Sequence, residues 1–197
     1  MTHPTTRKII VSLLAFTSAS FAQAHTGHGT ESLMEGLAHP LGLDHLLAMF
    51  AVGLWSAKQL TLRDAWQGPA TFMAALLLSA TLGQMGFAAA WMETAIALSV
   101  VLFGVMLLGQ QTLGKFTGLT LIAIAASLHG VAHGAETPET GFMTYAMGFM
   151  FTTACLHASG LGLGLAIQRF AVKHRGLAFG SIGSAMTGAG LYLISQI

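Results

Sequence analysis

FTGLTLIAIAASLHGVAHGAE, residues 116–136, joins a long apolar run to a polar end. Its first part is apolar and uncharged, and a helix of about 20 such residues crosses a bilayer core of roughly 30 Å. Its end carries two histidines and a glutamate. Each helical residue turns by about 100°, so His129, His133 and Glu136 fall within roughly 60° of one another, on a single face. Polar and ionisable groups cost on the order of 3 kcal/mol each at the middle of a membrane helix, so a stripe of them asks for a compensating role.

The rest of the chain agrees with a membrane setting. It has 197 residues, 54% hydrophobic and only 8% charged, with a mean hydropathy of +0.70. Soluble domains carry roughly 25% charged residues. The 24 glycines fit helices that approach one another closely in lipid. A net charge of +1 and the absence of a basic block give no footing for nucleic acid. The single cysteine, Cys155, excludes an intramolecular disulfide framework and a cysteine-rich metal cage. Any metal site must use mainly nitrogen and oxygen.

At the start, Arg7 and Lys8 precede the apolar run 9–21, and Ala22-Gln23-Ala24 is a small-x-small cleavage pattern. Residues 1–24 therefore read as a signal peptide and 25–197 as the mature transmembrane domain. Six apolar segments follow, at 43–57, 68–90, 94–109, 116–134, 142–167 and 177–197. No dyad alternation of a barrel is present, so the expected fold is all-α: a polytopic bundle of six transmembrane helices. An exported amino terminus makes the connections before residues 68, 116 and 177 cytoplasmic. Every lysine and arginine of the mature part lies there: Lys58, Arg63, Lys115, Arg169, Lys173 and Arg175. The positive-inside rule is satisfied, with both mature termini outside. The expected location is a bacterial inner membrane, with lipid as the surrounding partner.

Two further clusters accompany the stripe. HPLGLDH places His39, Asp44 and His45 in a turn that feeds the first span. Asp44 suits the start of that helix, as a cap or as a ligand. His157 falls near the middle of the fifth segment, on a face that also reads Met143, Met147, Met150 and Ala154. The methionines suit packing or soft coordination of Cu(I); His157 suits a hydrogen bond to a neighbouring helix or a place on a pathway. Of the histidines from His25 onward, only His174 falls on the cytoplasmic side. His25 and His28 open the mature chain as a flexible tail or a transient metal trap.

Imidazole and carboxylate together suit Ni²⁺, Cu²⁺, Zn²⁺ and Fe²⁺, and the affinity order does not choose among them. His-x-x-x-His is also a zinc spacing, but the metalloprotease motif needs a glutamate directly after the first histidine, where Gly130 stands. No serine with a paired base is evident, and the chain is not expected to be an enzyme. A membrane-embedded metal-dependent hydrolase and a non-transporting metal sensor or store remain the rival readings. Neutral imidazole binds metal, so capture is expected to weaken as pH falls through roughly 6 to 7.

These motifs resemble the HupE/UreJ family, multi-pass proteins associated with hydrogenase and urease gene clusters and regarded as nickel transporters. HGVAHGAE is similar to the family's second motif, with Leu128 in place of its phenylalanine, and carries over His129, His133 and Glu136. HPLGLDHLLAMFAVGLW looks like the first motif and its helix, and carries over His39, Asp44 and His45. Four residues rather than five separate His39 from Asp44, which leaves open where His39 points. The resemblance implies a nickel permease, with cobalt, copper or zinc as alternative ions. His39, Asp44 and His45 are expected to meet His133 and Glu136 in an outer capture site, with His129 and His157 as deeper stations. Oligomeric state is not legible in the sequence.

Overall fold

The computed structural model of the chain describes residues 30–87, 89–108, 113–137 and 141–197. The signal-peptide reading of residues 1–24, and His25 and His28, lie outside the described residues. Seven α-helices account for nearly all of the rest: α1 (Thr30–Ala38), α2 (Leu43–Gln59), α3 (Gln67–Gln84), α4 (Met92–Leu108), α5 (Lys115–Ala135), α6 (Phe142–Phe170) and α7 (Arg175–Ile194). Short 3-10 turns, His39–Leu41 and Val172–His174, precede α2 and α7. There is no strand among the described residues.

Helices α2 to α7 each overlap one of the six apolar segments, although α3 ends at Gln84 where the segment was expected to run to residue 90. By length and hydropathy, three stretches among the described residues can cross a membrane: Lys115–Ala135, Phe142–Phe170 and Val172–Ile194. A fourth is available if the pair Ser32–Leu41 and Leu43–Gln59, bent by 71°, counts as one broken span. Helix α4 is apolar but shorter.

Helix α1 has no counterpart among the apolar segments. Its sequence, TESLMEGLA, is too short and too acidic to register as a span. It lies on α6, where Gly36 meets the Tyr145 backbone and Gly148 meets Leu33 and Leu37. Thr152 Oγ1 donates to the Leu37 carbonyl at 2.9 Å, fixing the end of α1 just before His39.

Close backbone approaches define the direction of the bundle. Gly160 of α6 faces Phe50 and Leu54 of α2, and Gly164, one turn further on, faces Ala57, so α2 and α6 run parallel. Gly130 and Gly134 of α5 face Leu76 and Ala80 of α3, so these two also run parallel. Helices α4 and α7 pair antiparallel, with Gly104 against Gly183 and Thr187, and Gly190 against Ala97 and Val101. The last pair uses one of two interleaved lines of small residues on α7: Gly180 and Gly188 face open space, and the contact runs along Gly183, Thr187 and Gly190. Spacing alone does not tell which of two interleaved small-residue stripes a neighbour covers.

Between the helices lies a core that includes Met49, Trp55, Phe72, Leu76, Phe103, Ile122 and Phe149, all fully buried. The methionine stripe does not join it as one face. Met143 and Met147 are 73% and 68% exposed, while the buried line of α6 runs through Tyr145, Phe149, Thr153, His157 and Gly160.

Lys58, Arg63, Lys115, Arg169, Lys173 and Arg175 all fall at the C-terminal ends of α2 and α6 or at the starts of α3, α5 and α7. The helix directions put these at one end of the bundle. Asp64 and Lys115 form an ion pair of 3.1 Å there. His39, His45, His129 and His133 gather at the other.

Candidate metal centre

The 3-10 turn His39–Leu41 and the first turns of α2 bring His39 and His45 to the C-terminal end of α5, which carries His129 and His133. Pro40 is buried in that turn and Gly42 caps α2 with its backbone, so the chain bends tightly without losing its place. One ring nitrogen each from His39, His45 and His133 lies within 4.8 Å of the others, a spacing that could hold one metal ion. The rings meet closely: His39 and His133 have centroids 4.3 Å apart, His39 and His45 4.9 Å, and His45 and His133 5.0 Å. Three imidazoles from two separated segments thus converge.

Burial makes the arrangement chemically unusual. His129 and His133 are 0% exposed and His157 is 1% exposed. His39 Nε2, His45 Nε2, His129 Nδ1, His157 Nε2 and both ring nitrogens of His133 are buried with no hydrogen-bond partner among the described residues. Buried polar atoms in folded proteins are nearly always paired, so each exception needs an explanation, and an ion is one of the ordinary ones.

The other nitrogen of four of these rings is engaged. Asp44 Oδ1 accepts from His45 Nδ1 at 2.8 Å and from the His45 backbone amide at 2.7 Å. Glu136 Oε2 lies 3.3 Å from His39 Nδ1. His157 Nδ1 donates to the Met49 carbonyl at 2.7 Å, since a carbonyl has no hydrogen to give. His129 Nε2 lies 2.9 Å from Ser99 Oγ. In a neutral imidazole one nitrogen bears the hydrogen and the other the lone pair, so engaging one N–H leaves the other nitrogen free to coordinate. His133 is the exception; its ring stacks on Phe149 at 4.5 Å, held by packing alone.

The two carboxylates therefore stand behind histidines, at their Nδ1 atoms, while the converging nitrogens come from imidazole. Burial holds the Glu136 carboxyl above the ordinary glutamate range, partly offset by the attraction of His45. Its side chain is 60% exposed, so solvent screens much of this. His129 lies directly below the triad, 4.7 Å from the His45 ring. His157 is set apart from it. The Phe72 ring of α3 touches both, with centroids 5.7 Å from His129 and 5.0 Å from His157.

Four residues around the centre went unread in the sequence: Phe72, Ser99, Tyr145 and Phe149. Phe72 and Phe149 are two of 12 phenylalanines, and no spacing marks them. Tyr145 carried more of a signal, being one of only two tyrosines. It is buried, with its hydroxyl unpaired among the described residues and its ring 6.1 Å from His39.

The profile of the family described as HupE / UreJ protein matches residues 13–193. The chain belongs to the HupE/UreJ family. It is similar to the Protein HupE of Rhizobium leguminosarum bv. viciae, 38% identical over 165 residues, which cover 83% of this chain and 85% of the relative. No solved structure matches the chain significantly. Both HupE/UreJ motifs therefore end in one place, the His39 turn and the last turns of α5. With four residues between His39 and Asp44, His39 opens the 3-10 turn and faces His45 and His133.

Proposed function

We propose that this HupE/UreJ protein is a bacterial inner-membrane permease for nickel or a similar divalent transition metal. It captures the ion at a periplasm-facing site and passes it inward. In this reading α2 to α7 are six spans, both mature termini are periplasmic, and the basic end of the bundle is cytoplasmic. The sorting of lysine and arginine supports that orientation.

The observation that carries the proposal is the convergence of His39, His45 and His133, one ring nitrogen of each within 4.8 Å of the others, on three rings that all carry a buried, unpaired nitrogen. Imidazole nitrogen is a good donor for Ni²⁺, Cu²⁺, Zn²⁺ and Co²⁺ alike. Nickel is chosen because the family is associated with hydrogenases and ureases, which are nickel enzymes.

A dehydrating ion would meet Glu136 first, at the open end, where negative charge raises the local concentration of cations. It would then pass to the three imidazoles, with Asp44 and Glu136 orienting His45 and His39. His129 offers the next nitrogen inward. His157 offers another beyond Phe72, with its ring orientation fixed by the Met49 carbonyl. Handing an ion between sites of similar chemistry keeps each step shallow, and several weak sites conduct better than one tight one.

The test is radioactive nickel flux into liposomes reconstituted with the protein, with cobalt, copper and zinc as competitors. The proposal expects time-dependent uptake, lost in the His129→Ala, His133→Ala double variant at equal protein level. A tightly held Zn²⁺ with hydrolytic activity and no flux would instead identify a hydrolase. Binding without flux would identify a sensor or store.

A further inference from the structure

Ser99 lies in α4, in the stretch METAIALSVVLFGVMLL, where neither motif reaches. It is 3% exposed and faces α5. Its hydroxyl makes two contacts: 2.6 Å to the Ile96 carbonyl and 2.9 Å to His129 Nε2. A serine has one hydrogen to donate. Two oxygens held 2.6 Å apart need a hydrogen between them, and the carbonyl has none, so the Ser99 hydrogen points to Ile96. The serine oxygen then has only lone pairs left for His129, and the bond must run from Nε2–H to Ser99 Oγ.

We infer that Ser99 is a positioning residue that locks His129 in its Nε2–H form, leaving the lone pair on Nδ1 to receive metal from the triad above. This rests on the reading of the histidines as a metal path. Two independent observations support it. His129 Nδ1 is fully buried with no acceptor among the described residues, so a hydrogen there would be a stranded donor, whereas a lone pair there is a ligand. The ring also stands edge-on to His45, centroid 4.7 Å away and 89° between planes, directly beside a member of the triad.

The arrangement is the inverse of that at His45 and His157. There the nitrogen held is Nδ1 and the free one is Nε2; at His129 the held nitrogen is Nε2 and the free one is Nδ1. The Nδ1 atom sits closer to the helix backbone than Nε2. Coordination through it keeps the ion near α5, where an outward-reaching Nε2 would carry it toward α4. Ser99 thereby selects the side of the imidazole on which the ion sits, and ties α4, which carries no histidine, to the path.

Metal-free protein containing isotope-labelled histidine, in detergent micelles, tests this by two-bond proton–nitrogen correlations, with His129 assigned by its loss in His129→Gln. The wild type should show His129 protonated at Nε2. Ser99→Ala should move that population toward Nδ1–H or a mixture, and Ser99→Thr, which keeps the hydroxyl, should restore it. Nickel titration should then show an affinity loss of about 10–100-fold in Ser99→Ala and a recovery in Ser99→Thr, as expected for the loss of a partner that orients a ligating histidine. An Nδ1–H tautomer in the wild type overturns the inference, as does an Nε2–H population that Ser99→Ala leaves unchanged. Should Ser99→Ala fail to fold, the wild-type tautomer alone decides. The tautomer is read without metal, so a wild type that binds no nickel contradicts the nickel path, and with it the receipt of metal at Nδ1, while the tautomer set by Ser99 stands.

Discussion

Asp44 holds His45 twice, accepting from its backbone amide at 2.7 Å and from its ring Nδ1 at 2.8 Å through the same carboxylate oxygen. One bond anchors the carboxylate to the first turn of α2, and the other sets the ring. Gly42, not Asp44, caps α2, and Asp44 stands in its first turn with its carboxylate placed to orient the adjacent imidazole. Asp44→Ala should lower nickel affinity by about 10–100-fold, the usual effect of removing a partner that orients a ligating histidine. Asp44→Asn, which keeps an acceptor oxygen, should fall between. Calorimetric titration of nickel into purified protein reads both.

Glu136 stands toward His39 as Asp44 does toward His45, but over a longer 3.3 Å and with 60% of its side chain exposed. Water competes for both groups there, so the pair is the weaker of the two. Glu136→Gln should cost only a few-fold in nickel affinity, and its loss should shrink further at high salt, where screening already weakens the attraction of the wild-type carboxylate. Titrations at low and high ionic strength check both statements.

The histidine face of α5 is held in place by its close contact with α3. A Cβ on Gly130 would collide with Ser79 Oγ and the Leu76 carbonyl, and one on Gly134 with the Ala80 carbonyl. Gly130→Ala should therefore push α5 away and destabilise the protein by about 1–3 kcal/mol, as overpacking does. Gly180→Ala and Gly188→Ala meet open space and should be neutral. Thermal unfolding in detergent distinguishes the two groups.

Met143 and Met147 are exposed on α6, away from the triad. Replacing both with leucine should leave nickel affinity and copper competition unchanged, because neither thioether reaches the converging nitrogens. A drop in copper competition alone would show soft coordination at that surface.

Most of the helices were legible because long apolar runs have few alternatives, and the basic residues between them fall at one end of the bundle. Helix α1 was not, since TESLMEGLA draws its stability from the Gly36 and Gly148 contact with α6, which hydropathy does not register. Within the site, periodicity put His129, His133 and Glu136 on one face. It carried no information on what lies opposite. Phe72 and Ser99 reach the histidines from α3 and α4 across helix interfaces, and residues of such ordinary type become visible only when the packing is known. The methionines of α6 failed as a stripe for a related reason. Equal spacing along a helix of 29 residues does not ensure one environment, because neighbours cover only part of its length.

Nickel-edge X-ray absorption on the metal-loaded purified protein counts imidazole ligands without requiring transport. Imidazole nitrogens are expected in the wild type, with His39, His45 and His133 contributing, and one fewer in His133→Ala. A nickel ion without imidazole ligands, or an imidazole count unchanged in His133→Ala, would contradict a metal centre built on these histidines.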